Sequence, residues 1–115
     1  MKNIVLAVLF ALLITPAFAS PTYVPTTFSG DQIIKTGAGI IVDGNIYYKG
    51  VTAGDKLELR NGTSTSGTVV YTFVAPAANG SQALPAYKRD ILVDTGIYLD
   101  ETRTGGVLSI ELYYQ

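Results

Sequence analysis

The stretch that decides the fold class is "GDKLELRNGTSTSGTVVYTF", Gly54 to Phe73. Within it, Lys56 to Arg60 alternate strictly, with leucines on one side and charged residues on the other. A period of two with one polar face is typical of a half-buried antiparallel strand. Thr68 to Val74 is β-branched and aromatic and predicts the returning strand, with the polar loop "NGTSTSG" between the two.

Further strands are predicted on both sides of this pair. In "GIIVDGNIYYKGV", the break at Asp43-Gly44-Asn45 is either a hairpin turn or a bulge in one long strand, and we favour the bulge. Runs bounded by turn residues predict the other strands: Ile33 to Lys35, Ala86 to Lys88, Asp90 to Val93, Ile97 to Leu99 and Val107 to Tyr114. About seven or eight short strands without an amphipathic helix indicate an all-β, antiparallel two-sheet sandwich, most simply a jelly roll.

The first 32 residues do not follow the strand pattern. Residues 1–19 combine a basic Lys2, an apolar run and small residues at Ala17 and Ala19, so we expect a secretory signal peptide cleaved after Ala19. The alternative is an uncleaved membrane anchor, although the apolar run is shorter than the ~20 residues of a membrane span. Residues 20–32 are polar, contain two prolines and predict an extended arm before a sandwich domain over 33–115.

Composition excludes most catalytic chemistry. The 115 residues contain no Cys, His or Trp, which removes thiolate nucleophiles, Cys/His zinc sites and imidazole bases. Eight basic residues nearly balance nine acidic ones, so the chain has no strong positive electrostatic potential that would attract nucleic acid. We therefore expect neither an enzyme nor a nucleic-acid-binding protein.

No cofactor is expected, and calcium is the one metal for which the sequence offers ligands. The oxygen-bearing side chains predicted at strand ends are those of Asp43, Asn45, Asp94 and Asp100. Their spacing matches no EF-hand loop, so the prediction of calcium binding rests only on the oxygen ligands that these groups offer.

Two sets of aromatic and apolar residues are candidate contacts. Because side chains alternate along a strand, one tyrosine of Tyr47-Tyr48 and one of Tyr113-Tyr114 must face outward. An outward ring could stack on a sugar, contact another subunit, or simply cover the sheet. In the arm, the candidates for pairing with a neighbouring subunit are Tyr23, Val24 and Phe28.

Two long stretches carry a resemblance to a known family. They are "KTGAGIIVDGNIYYKGVTAGDKLELRNGTSTSGTVVYTF" and "DTGIYLDETRTGGVLSIELYY". Through them, residues 33–114 resemble a family of small β-sandwich proteins found mostly in tailed-phage and virus genomes. The resemblance implies a decoration, fibre or knob module of a virion surface and brings no catalytic residues. Phage head proteins do not normally carry a secretory signal, which favours a membrane-associated virion component or a host-encoded extracellular relative.

From these observations we expect a non-catalytic structural or assembly protein. It would be secreted, extracytoplasmic or on a virion surface, and would bind copies of itself or other assembly proteins. Contact with a membrane is expected only if residues 1–19 are retained. The alternative is a carbohydrate-binding or adhesin-type module that binds a glycan through the outward tyrosines.

Overall fold

The computed structural model describes residues 26–115, which form nine β-strands. A short 3-10 helix, Ala86–Lys88, lies between β6 and β7. The strands are β1 Thr26–Ser29, β2 Gln32–Thr36, β3 Gly39–Lys49, β4 Lys56–Asn61, β5 Thr68–Val74, β6 Gly80–Ala83, β7 Ile91–Val93, β8 Gly96–Thr102 and β9 Val107–Tyr114.

The strands form two antiparallel sheets that pack face to face. Sheet A has five strands in the order β1-β9-β3-β6, with β7 also paired to β3, and sheet B has four strands in the order β2-β8-β4-β5. The predicted all-β, antiparallel two-sheet sandwich is therefore confirmed. Residues 1–19, predicted as a signal peptide or anchor, lie outside the described residues.

The longest strand, β3, holds sheet A together. One of its edges pairs with β9, and the other pairs with β7 at Gly39–Ile41 and with β6 at Asn45–Tyr48. The register with β9 shifts between Ile41 and Asp43, so "GIIVDGNIYYK" is one bulged strand, as favoured from the sequence, and not a hairpin. After the shift, Ile46 and Tyr48 point into the core.

The core lies between the inner faces of the two sheets. Strands β3 and β9 contribute from sheet A, while β4, β5 and β8 contribute from sheet B. The side chains with almost no exposed surface are Ile41, Ile46, Leu57, Leu59, Leu84, Ile97, Leu99, Leu108, Ile110 and Leu112. The alternation predicted for β4 and β9 is thus the alternation between core and outer face.

The loop "NGTSTSG" is a compact turn between β4 and β5. Strand β4 continues to Asn61, one residue beyond the predicted end, and the loop itself spans 62–67. Arg60 Nη1 donates to the carbonyl of Gly67 at 2.9 Å, and a Cβ at Gly67 would lie 2.7 Å from the carbonyl oxygen of Asn61. A side chain at position 67 would therefore force the two ends of the loop apart.

The structure departs from the predicted elements at three places. Thr26–Ser29, within the predicted arm, is an edge strand of the sandwich paired with β9. Gly80–Ala83, within a predicted polar loop, pairs with β3 although all four residues are exposed. Ala86–Lys88, predicted as a strand, is a 3-10 turn in which the N–H of Lys88 donates to the carbonyl of Pro85 at 2.8 Å.

Arg60 separates two carboxylates on the outer face of sheet B. Glu58 and Asp100 are direct cross-strand neighbours, and like charges in such positions repel each other. Arg60 Nε lies 3.0 Å from Asp100 Oδ2, and its Nη2 lies 3.7 Å from Glu58 Oε1. The three side chains are only 16–18% exposed, so this interaction is less screened than an ordinary surface ion pair.

Replacing Arg60 with Met keeps most of the aliphatic volume but leaves Glu58 facing Asp100. We expect Arg60→Met to lower the free energy of unfolding by about 1–3 kcal/mol in urea titrations at neutral pH. The matched control is Arg89→Met, whose ion pair with Asp43 is 43% and 40% exposed and should cost less than about 1 kcal/mol. Equal losses in the two variants would contradict this interpretation.

Candidate functional site

The structure places one ring of each tyrosine pair on the outer face of sheet A. Tyr47 is 43% exposed there, and Tyr113 is half-buried on the same face. Their neighbours point inward. Tyr48 belongs to the core, and Tyr114 packs against the ring of Phe28 at a centroid distance of 5.9 Å.

Polar side chains surround the two outward rings, and we call this surface the tyrosine face: Asp43, Asn45, Tyr47, Glu111 and Tyr113. Asp43 lies opposite Tyr113 and Asn45 opposite Glu111 in the β3–β9 pair. The hydroxyl of Tyr113 donates to Glu111 Oε1 at 3.4 Å. Loss of solvent around the ring, and then the negative charge of Glu111, raise the pKa of Tyr113. The hydroxyl therefore stays a hydrogen-bond donor at neutral pH.

Of the three predicted arm contacts, Phe28 alone falls within the described residues. Phe28 is part of β1 and packs within its own sandwich, against Tyr114 and the core. Tyr23 and Val24 lie outside the described residues. Phe28 is thus engaged inside the domain, whereas a contact of the other two with a neighbouring subunit stays a prediction.

The four residues considered for calcium are not brought together as one set, because Asp43 and Asn45 lie on β3 of sheet A and Asp100 lies on β8 of sheet B. Asp43 pairs with Arg89 at 3.2 Å, and Asp100 pairs with Arg60. Asp94 accepts hydrogen bonds from Asn61 and Thr95, which lower its pKa. Over residues 26–115, no group of three or more acidic side chains is arranged to hold a metal ion.

A polar cavity lies at one end of the sandwich, where the chain passes between the sheets. We call this the crossover cavity. It has a volume of about 370 Å³ and is lined by Gly30, Asp31, Glu101, Arg103, Thr104 and Gly105. Two connections form it: the β1–β2 turn and the β8–β9 turn. Asp31 Oδ1 accepts the backbone N–H of Glu101 at 2.7 Å and so joins the first turn to β8.

Glu101 is the most unusual side chain of this cavity. Its side chain is 2% exposed, and Oε2 lies 3.2 Å from Arg103 Nε. The other carboxylate oxygen, Oε1, is buried without a hydrogen-bond partner. Burial raises the pKa of Glu101, and the nearby charge of Asp31 acts in the same direction, whereas the Gly30 N–H and Arg103 act against it.

A second buried carboxylate lies at the same end. Asp55 is 7% exposed, and its Oδ2 accepts the backbone N–H of Thr52 at 3.0 Å and that of Thr104 at 3.3 Å. The hydroxyl of Thr104 also donates to that of Thr52 at 2.8 Å. Asp55 thereby fixes the β3–β4 connection against the β8–β9 turn.

The sandwich also exposes two large apolar side chains on one segment. Tyr87 is 81% exposed on the 3-10 helix, and Leu92 is 78% exposed on β7, which is an edge strand of sheet A. We call these two residues the apolar edge, although they line different open cavities, and Tyr87 lies beside β5. Leu92 lines an open cavity of about 440 Å³ together with Ala38, Gly39 and Val93.

The sequence did not single out the crossover cavity. Asp31 and Glu101 are 70 residues apart, so no local spacing brings them together. The available signal was weak: Glu101 is a charged residue next to Asp100 on a strand, and one of the two must point away from the solvated face. The apolar edge was missed because Ala86 to Lys88 and Asp90 to Val93 were predicted as strands without a prediction of which side chains point to solvent.

Comparison with known proteins gives no match: no protein-family model, curated protein or solved structure matches this chain. The resemblance to virion-surface modules therefore stays a prediction from the sequence. Within residues 26–115, no helix is both long and apolar enough to cross a membrane.

Glu101→Gln should remove a pH dependence of stability. Because the pKa of Glu101 is raised in the folded state above its ordinary 4.5, the folded protein binds this proton more tightly than the unfolded chain does. Its contribution to the free energy of unfolding is thus complete below 4.5 and is lost as the pH rises through the folded-state pKa. Urea titrations between about pH 4 and 7 measure this fall.

The fall should be absent in Glu101→Gln and should persist in the control Glu111→Gln, which alters a carboxylate of the tyrosine face. Arg103 and Asp31 are the charged groups nearest Glu101, and both remain in each variant. The same pH dependence in wild type and Glu101→Gln would show that Glu101 is not its source.

Proposed function

We propose that this chain is a non-catalytic structural or assembly subunit, a β-sandwich that packs against copies of itself or a partner on a virion surface or in an extracellular assembly. The observation that carries the proposal is the apolar edge. Removing apolar surface of leucine and tyrosine side chains from water is favourable by about 25 cal/mol for each Å². A contact that covers Tyr87 and Leu92 would gain this free energy.

The proposal includes a jelly-roll topology, which the strand order supports. In a jelly roll, an antiparallel ribbon of eight strands is wound into two four-stranded sheets. The pairs β1–β9, β2–β8, β3–β6 and β4–β5 give such a ribbon, and β9–β3 and β8–β4 are the contacts made by winding it. Strand β7 pairs with the same edge of β3 as β6 does, but nearer the start of β3.

The location outside the cytoplasm rests on residues 1–19. Their order of a basic residue, an apolar run and small residues is that of a secretory signal. A chain without cysteine needs no disulfide to fold after export. Jelly rolls are also a common architecture of viral capsid proteins and lectins, which supports both this proposal and its alternative.

The alternative is a glycan-binding module that uses the tyrosine face. The observation that favours it is the placement of Tyr47 and Tyr113 beside Asp43, Asn45 and Glu111. Aromatic rings can stack on a sugar, and the carboxylates and amide can accept or donate hydrogen bonds to its hydroxyls. Glycan-array binding that Tyr47→Ala abolishes and Leu92→Ser leaves intact would favour this alternative.

Size-exclusion chromatography with light scattering tests the assembly proposal. We expect the wild-type protein to have a mass several times that of one chain at about 100 µM, and the double variant Tyr87→Ser, Leu92→Ser to have the mass of one chain, because hydroxyl groups weaken an apolar contact. The control is Val74→Ser, which changes an apolar side chain 52% exposed on sheet B.

Two results would count against the proposal. One is a wild-type mass of a single chain at all concentrations up to about 100 µM, well above the Kd of a specific interface. The other is an oligomer whose mass is unchanged in the double variant. Circular dichroism of each variant establishes that the sandwich is still folded.

A further inference from the structure

One edge strand of the sandwich, β5, is long and uncharged. The edges are β1 and the β6–β7 side in sheet A, and β2 and β5 in sheet B. Soluble proteins usually keep an edge strand from pairing by making it short or by placing charges, prolines or bulges in it. Strands β1, β6 and β7 have three or four residues each, and β2 carries Lys35 and a shift in register. Strand β5 has seven residues, none of them charged.

The pairing of β5 with β4 determines which backbone groups point to the free edge. The N–H of Ala75 donates to the carbonyl of Asp55 at 2.8 Å, and the carbonyl of Ala75 accepts the N–H of Gly54 at 2.9 Å. Both groups of Ala75 therefore point to the β4 side. Because these directions alternate along an antiparallel strand, the groups of Thr72 and Val74 point away from β4. Within residues 26–115, no strand pairs with β5 on that side.

The first half of the same edge is covered by the 3-10 helix. Nζ of Lys88 donates to the carbonyl of Val70 at 3.2 Å. Tyr87 and Thr72 line one open cavity of about 330 Å³ beside β5. A strand added to β5 would therefore pair with the second half of the edge, residues 72–74, and would lie next to the ring of Tyr87.

The free groups of Thr72 and Val74 fit a second copy of the same strand. When two β5 strands pair antiparallel about a two-fold axis, Thr72 of each copy can face Val74 of the other, and each of these pairs exchanges both of its N–H···O bonds. The bond from Lys88 to Val70 is kept in this register. Like charges directly opposite each other would destabilise such a pair, and β5 has none, whereas facing β-branched side chains stabilise it.

We propose that two copies of this chain pair through the free edges of β5 and so join their B sheets into one continuous antiparallel sheet. The inference rests on the proposed assembly function and names one of its contacts. Main-chain hydrogen bonds set the register, as in other cases of strand addition to a sheet edge. The contact also covers part of the ring of Tyr87, which is 81% exposed in the single chain.

Hydrogen exchange of the wild-type chain, read by NMR after quenching, tests the contact without any variant. If the amides of Thr72 and Val74 exchange only from single chains, their rates should fall about tenfold when about a tenth of the chains remain single. Dilution to single chains should restore fast exchange. The amides of Tyr71 and Phe73 are the control, because they point to β4 and should stay protected at both concentrations.

A matched pair of variants at position 72 gives a second measurement. Thr72→Pro removes the N–H that points away from β4, a position at which an edge strand tolerates proline. Thr72→Val keeps this N–H and the β-branched shape. In light scattering at about 100 µM, Thr72→Val should keep the wild-type mass, and Thr72→Pro should have no more than half of it. Circular dichroism shows whether both variants are folded, and the exchange measurement decides if the proline variant is not.

The outcomes separate this contact from the assembly function on which it rests. Fast exchange of the Thr72 and Val74 amides in an assembled wild-type protein would overturn the β5 contact and leave the assembly function standing. Protection of these amides that does not change on dilution would also overturn it, because their partner would then belong to the same chain. A wild-type mass of one chain at every concentration would overturn both.

Discussion

The fold depends on the pairing of β3 along both of its edges. Strand β3 pairs with β9 on one side and with β6 and β7 on the other, so three strands take their place in sheet A from it. The bulge between Ile41 and Asp43 lets one strand satisfy these pairings while keeping Ile41, Ile46 and Tyr48 in the core. A shift of one residue without a compensating bulge would turn those side chains outward.

The strand order of the two sheets brings several of the connections between them together at one end. The β3–β4 connection touches the β8–β9 turn through Asp55 and Thr104, and the β1–β2 turn touches β8 through Asp31 and Glu101. Carboxylates hold these connections because their oxygens can accept several backbone N–H groups that turns leave unpaired. The polar end of the sandwich is therefore a consequence of its topology.

Sequence reasoning succeeded where one face of a strand is buried. The limits of β5 and β9 match those predicted, and β4 differs by one residue. Alternation of apolar and polar residues is visible in β4 and β9, and β5 is rich in β-branched and aromatic residues. Sequence reasoning failed for β1 and β6, which are edge strands whose backbones pair while most of their side chains stay exposed. That one tyrosine of each pair faces outward follows from alternation alone, whereas the contact of Asp31 with Glu101 depends on how the strands are arranged in the two sheets.

Hydrogen exchange measured by NMR tests the central role of β3 most directly. If β3 holds sheet A together, the amides of Asn45–Tyr48, which pair on both edges, should exchange only through global unfolding. The amides of β6 and β7 should exchange faster, because these short strands pair on one side and can open locally. Exchange of the Asn45–Tyr48 amides as fast as that of β6, with slow exchange confined to sheet B, would contradict this account.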